Sequence, residues 1–242
     1  MPTLALLLVL PLGFLLMALS SARSETTSVL VVTGGRSVDE TSFADLLDSL
    51  PFTVDRAEKP EAFALFGSDD IERYAAVLFY DMYQPISEQE KQAFLSLFER
   101  GIGVVFLHHS IVSHQEWDEY EMIVGGRYFE SAWQDEGRGY GPSTYRHDQE
   151  FVVQVVQPDH PVTSGLNDFP IRDETYLNYR VHDFVTPLLR TDYRESGEVL
   201  GWTHEYENSR VVYIMLGHDH QAYQHPAFRQ ILASALSFVQ RS

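Results

Sequence analysis

Short runs of consecutive apolar residues alternate along the chain with segments whose apolar residues recur every three or four positions. This is the pattern of buried strands exchanging with amphipathic helices. SVLVVT (28–33) is β-branched and stops at Gly34 and Gly35, which predicts a strand covered on both faces. In DETSFADLLDSL, Phe43, Leu46, Leu47 and Leu50 share a helical face and Pro51 closes the segment. FTVDRAE (52–58) reads as a second strand, 60–74 as a weak helix or loop, and AAVLFYD (75–81) as a third strand. Ser87 followed by Glu90 is a capping-box signature for a helix with the stripe Phe94, Leu95 and Phe98, ended by Gly101. GVVFLHHS (103–110) is the fourth strand and runs directly into polar residues.

This rhythm predicts the α/β class, with an open, mostly parallel sheet and helices on both faces. Beyond about residue 125 the pattern loosens. A Gly- and aromatic-rich loop spans 125–141, FVVQVVQ (151–157) is a strand, and turn-rich DHPVTSGLNDFP leads into a segment around DETYLNY. Two strands, EVLGWTHE and SRVVYIMLGHD, precede a closing helix, PAFRQILASALSFV, with Pro226 near its first position. No linker rich in Pro, Gly or Ser divides the segment 25–242, which reads as one domain.

Residues 4–19 are apolar and uncharged, too short to span a bilayer as a helix, and interrupted by Pro11. With Ala22 and Ser24 at −3 and −1 before Glu25, residues 1–24 are expected to be a signal peptide, which makes the protein secreted or periplasmic. An uncleaved membrane anchor is the alternative. The formal net charge is −18, with 17 Lys and Arg against 35 Asp and Glu, and no basic run occurs anywhere. Nucleic acid is therefore not an expected partner. The absence of cysteine excludes disulfides, thiolate metal sites and every cysteine nucleophile.

Ligands of open α/β sheets bind beyond the carboxyl ends of the parallel strands, so residues just after strands carry the most weight. These are Gly34, Gly35 and Arg36, then Asp81, then His108, His109 and Ser110, and finally His218, Asp219 and His220. Imidazoles and carboxylates facing one crevice suit acid/base work or metal binding. Each has a plainer reading: a glycine turn for GGR, backbone capping for Asp81 and Asp219, and core hydrogen bonding for one of the two adjacent histidines. His147 in YRHD and the carboxylates of Asp173 and Glu174 beside Tyr176 are further candidates; His160 and His204 are weaker, and His114, His182 and His225 read as structural or surface. GxGxxG, HExxH and GxSxG are all absent.

GGR, GVVFLHHS, YEMIVGGRY, DHPVTSGLNDFPIRDETY and SRVVYIMLGHDHQAYQHPAFRQIL, in that order, resemble the ThuA-like family, named for trehalose utilisation. The resemblance covers essentially the whole of 25–242. It implies a flavodoxin-like fold related to class I glutamine amidotransferases and a link to carbohydrate catabolism, often beside sugar oxidoreductases. The family's polar positions fall on His108, His109, His160, Asp173, Glu174, His218 and Asp219, with His147 matching a subgroup. Many relatives carry histidine where this chain has Arg36. Glutaminase chemistry is excluded because the strand end reads LHHS and no cysteine exists.

The expected function is therefore that of an exported protein acting on a small-molecule sugar or oxidised sugar by histidine/carboxylate acid–base chemistry. His109, Glu174, His218 and Asp219 are the expected catalytic residues, with His109 as base or ligand and Asp219 fixing the tautomer of His218. Gly35, Arg36, Asp81, His108, His147 and Asp173 are the expected substrate-binding residues. A divalent metal held by His109 and His218 is a further expectation. The alternative is a non-catalytic carbohydrate-binding protein in which Trp117, Trp133, Tyr128 and Tyr140 stack on sugar rings.

Overall fold

The structure, a computed structural model, describes residues 27–240. The expected signal segment at 1–24 lies outside the described residues. The first half runs β1 (Ser28–Gly34), α1 (Glu40–Asp48), β2 (Thr53–Glu58), α2 (Ala62–Phe66), β3 (Ala76–Asp81), α3 (Glu88–Glu99) and β4 (Gly103–Leu107). A 3-10 turn over His108–Val112 leads to α4 (Asp118–Val124), the short β5 (Gly126–Arg127), and a hairpin of β6 (Trp133–Asp135) and β7 (Arg138–Tyr140). Then come β8 (Thr144–Val155), β9 (Phe169–Leu177), β10 (Arg180–Val181) and β11 (Thr186–Arg190). The chain closes with β12 (Val199–Tyr206), β13 (Ser209–Ile214), α5 (His220–Tyr223) and α6 (Pro226–Val239).

Nine strands form the main sheet in the order β2-β1-β3-β4-β13-β12-β11-β8-β9. The first five pair in parallel, with β13 in the fifth place, which is the flavodoxin-like order. From β13 onward every pairing is antiparallel, so the sheet continues as a four-strand wing. The wing's strand β11 escapes sequence reading, because TPLLR carries a proline and no alternation.

Alternation along β3 shows why both faces are covered. Phe79 packs on Phe66 and Phe94, of α2 and α3, while neighbouring Tyr80 stacks on Phe43 of α1 and meets Tyr223 of α5. The capping box of α3 forms as its sequence predicts, Ser87 accepting from the Glu90 backbone and Glu90 from the Ser87 backbone. Pro226 stands at the start of α6.

The fourth strand stops at Leu107, three residues earlier than its sequence suggests, because His108 turns into the left-handed region at φ 50. His108 and His109 are therefore not alternating strand residues. Both are buried, in a turn pinned to the end of β3 through Ser110, whose hydroxyl donates to Phe79 O and Asp81 Oδ1.

Candidate active site at the carboxyl ends of the parallel strands

The turn after β1 is shaped by close approach. Gly35 has φ +76, and a Cβ there would lie 2.4 Å from Met82 O, so the loops after β1 and β3 touch without room for a side chain. Gly35 thus serves the turn, as its plainer reading had it, and Arg36 is carried over the crevice between β1 and β3, where the strand order reverses. A cavity of about 510 Å³ opens there, lined by Arg36, Met82, His109, Tyr128, His147 and Glu174 among others.

Glu174, 3% exposed, is the hub. Its Oε1 lies 3.2 Å from His108 Nε2 and 3.5 Å from His218 Nδ1, and its Oε2 lies 2.6 Å from His147 Nδ1. His147 reaches it through a β-bulge. Arg146 pairs with Thr175 and Gln149 with Asp173, so His147 and Asp148 together oppose Glu174, and Asp148 takes φ 59. The bulge turns the half-exposed His147 ring back over the carboxylate. Burial pushes the Glu174 carboxyl up, but hydrogen bonding with His108 and the surrounding imidazoles outweigh it and hold the group below the usual carboxylate value.

His108 and His218 lie side by side, Nε2 to Nδ1 at 3.1 Å. His108 Nδ1 donates to Met215 O, a carbonyl that can only accept, so its Nε2 faces the cluster, 2.9 Å from the Tyr176 hydroxyl. Burial first, then His108, lowers His218 to about 4, partly opposed by Glu174, and leaves that ring neutral at physiological pH. Its Nε2 accepts from the Arg36 guanidinium at 3.5 Å.

His109 stands apart from this cluster. Its ring packs edge-on against Tyr80 and forms cavity wall; it is 2% exposed, and its Nδ1 has no protein partner. Burial, reinforced by His108, Arg36 and His218, holds it well below the usual histidine value, so it is a neutral imidazole. Of the two expected metal candidates, His218 belongs to a group of converging ligand-type atoms, with His108 and Glu174, and His109 is not in that group among the described residues.

Three expectations are corrected. Asp81 is fully buried with both oxygens engaged, by Ser110 on one side and by Lys59 and Ser113 on the other, so it cannot meet a substrate. Asp219 caps α5 by accepting from Gln221 N and leaves the His218 tautomer to Arg36 and Glu174. Asp173 is buried and accepts from the backbone of Gly217 and His218, which makes it a positioning residue for the turn that carries His218. Burial raises its carboxyl to about 6, against the His108 charge and those amides.

Of the aromatic residues, Trp117 is core, against Phe94 and Tyr120. Trp133 stacks on both Phe129 and Tyr140 at 4.3 Å and lies under Arg180, so its ring is engaged within the protein. Tyr128 does line the cavity. Tyr145, which the sequence pattern does not single out, also lines it, tilted against the His147 ring and 58% exposed; the TYRHDQE run holds no sign that the strand begins there.

A second carboxylate hub, Glu121 on α4, lies 2.8 Å from Arg180 and 2.9 Å from His182. Burial would raise it, but hydrogen bonds from His182 and Arg180 and their charges bring it down to about 2. Its folded value lies below its unfolded one, so its contribution is present above about pH 4.5 and lost as pH falls toward 2. Between pH 6 and pH 3 the native protein is expected to lose about 1–2 kcal/mol more stability than Glu121→Gln. Parallel thermal melts of the two proteins across that range would contradict this.

The sequence profile of the family ThuA, described as trehalose utilisation, matches residues 28–239. This chain belongs to the ThuA family. Among solved structures, a ThuA-like protein from Parabacteroides merdae superposes with a TM-score of 0.71 at 22% identity, over 89% of this chain and 90% of that one. A ThuA-like protein from Bacteroides uniformis gives 0.63 at 18% identity, over 86% and 89%. PurLQS from Thermotoga maritima gives 0.56 at 16% identity, over 88% and 99%, and shares the fold. No curated protein matches the chain. Family membership supports a carbohydrate-related role. Among the described residues of this ThuA protein, no helix is long and apolar enough to cross a membrane.

Proposed function

We propose that this protein is a secreted or periplasmic enzyme that acts on a sugar or oxidised sugar by proton transfer through Glu174 and its histidines. The observation that carries the reading is the 2.6 Å contact between His147 Nδ1 and Glu174 Oε2 on the wall of a cavity large enough for a monosaccharide. The buried carboxylate faces the imidazole through an oxygen with no hydrogen-bond partner of its own, and the half-exposed imidazole can exchange a proton with bound substrate. The unpartnered His109 Nδ1 in the same wall is a neutral group suited to a sugar hydroxyl or carbonyl. Arg36 and Tyr128 supply a donor and an apolar face. Export rests on the apolar run at 4–19 followed by SSARSE.

The test is turnover of a panel of disaccharides, monosaccharides and their keto and acid derivatives, followed by proton NMR. His147→Gln is expected to lower kcat about a hundredfold on a responsive sugar while the fold persists. Unchanged kcat in that variant would overturn the role of His147. Saturable sugar binding without turnover by the native protein would instead establish a carbohydrate-binding protein.

A further inference from the structure

We infer that His108 Nε2, His218 Nδ1 and Glu174 Oε1 form a three-ligand site for a divalent transition-metal ion of the zinc class, with its fourth position open to the cavity. The three atoms are separated by 3.1, 3.2 and 3.5 Å. Ligands 2.0–2.2 Å from a tetrahedral ion stand about 3.3–3.6 Å apart, so these separations lie within about 0.2 Å of one face of such a tetrahedron. A nitrogen–nitrogen–oxygen donor set selects zinc-like ions over magnesium or calcium, which prefer oxygen throughout.

The outer contacts agree. His108 Nδ1 is tied to Met215 O, the arrangement that turns the other ring nitrogen toward a metal. Asp173 holds the Gly217–His218 backbone from beneath, fixing where the second ring stands. His108 is fully buried and Glu174 nearly so, while His218 keeps some exposure and Glu174 reaches the cavity wall. Two histidines and one glutamate with an open side toward a substrate-sized space match a reactive metal site rather than a closed structural one.

Arg36 opposes the ion. It donates to His218 Nε2, so that nitrogen accepts and the ring proton stands on Nδ1, the atom the metal needs. Metal binding must move that proton to Nε2 and displace the guanidinium. Arg36 is exposed and its 3.5 Å contact is long, so the side chain can withdraw, and it tunes affinity downward. The inference goes beyond the sugar reading and does not depend on it.

The experiment is zinc titration by calorimetry on the untagged, chelator-treated full chain, with elemental analysis of the reloaded protein and circular dichroism to establish folding. One zinc per chain is expected, at a Kd of about 1 µM or tighter. His218→Ala and His108→Ala should each weaken binding at least about a hundredfold and Glu174→Gln about ten- to a hundredfold, whereas Arg36→Ala should tighten it about tenfold. If His108→Ala fails to fold, His218→Ala and Glu174→Gln decide. The inference is overturned if folded native protein takes up no zinc at about 100 µM, or if His218→Ala and Glu174→Gln bind it as tightly as the native chain. Zinc binding without sugar turnover would leave this site standing and remove the sugar reading. Turnover by a folded protein that takes up no zinc would do the reverse.

Discussion

Glu174→Gln is expected to lower turnover of a responsive sugar by about a thousandfold, while the melting temperature changes by only a few degrees. The carboxylate contacts three imidazoles from three separate parts of the chain: the turn after β4, the bulge in β8 and the turn after β13. An amide of the same size keeps the packing, but it cannot take up a proton at cavity pH and offers only one acceptor oxygen. His147 then loses the anion it faces, and His108 and His218 lose the one they share. Steady-state kinetics beside a thermal melt measures both effects. A variant that retains more than about a tenth of native kcat would show that the carboxylate is not part of the chemistry.

Asp81→Ala is expected to destabilise the protein by about 3–5 kcal/mol, a fall of roughly 10 °C or more in Tm for a chain of this size. Lys59 and Asp81 are both completely buried and 2.9 Å apart. The Lys59 ammonium also donates to His114 Nε2 at 3.1 Å and sits about 5 Å from the rings of Phe63, Phe79 and Phe94. His114 is pushed down to about 2, by burial and then by Lys59 and Lys91, so it is neutral and accepts. Removing the carboxylate strands an ammonium among phenyl rings, where water cannot reach it. The double variant Lys59→Met with Asp81→Leu should recover most of the loss, because well-packed apolar pairs often equal a buried ion pair. Denaturant unfolding of the three proteins checks this, and a single-variant cost below about 1 kcal/mol would contradict it.

Much of the parallel half was legible because its signals are local. The β-branched run of β1, the Ser87/Glu90 box and Pro226 each act within a few residues, and each element formed where its sequence put it, to within a few positions. In the antiparallel wing β12 and the second half of β8 were legible as apolar runs, but β11 was not, since TPLLR carries a proline and no alternation. Site residues divide the same way. That His108, Glu174 and His218 matter could be read from strand-end positions and family resemblance. Which of His108 and His109 meets Glu174 could not, because the answer depends on a backbone angle at Leu107–His108 that no local pattern encodes. Asp81 misled for a related reason: its partner Lys59 lies in DRAEKP, which resembles any exposed charged segment until β1, β2 and β3 pair and bury it.

The left-handed backbone at His108 sets local strain against side-chain contacts at a single position. A histidine held at φ 50 costs of order 1 kcal/mol or more that glycine would not incur. Glycine there would relieve that cost but remove a fully buried ring that contacts Met215 O, Tyr176 and Glu174, a larger loss, so the resulting protein would be both weaker and inert.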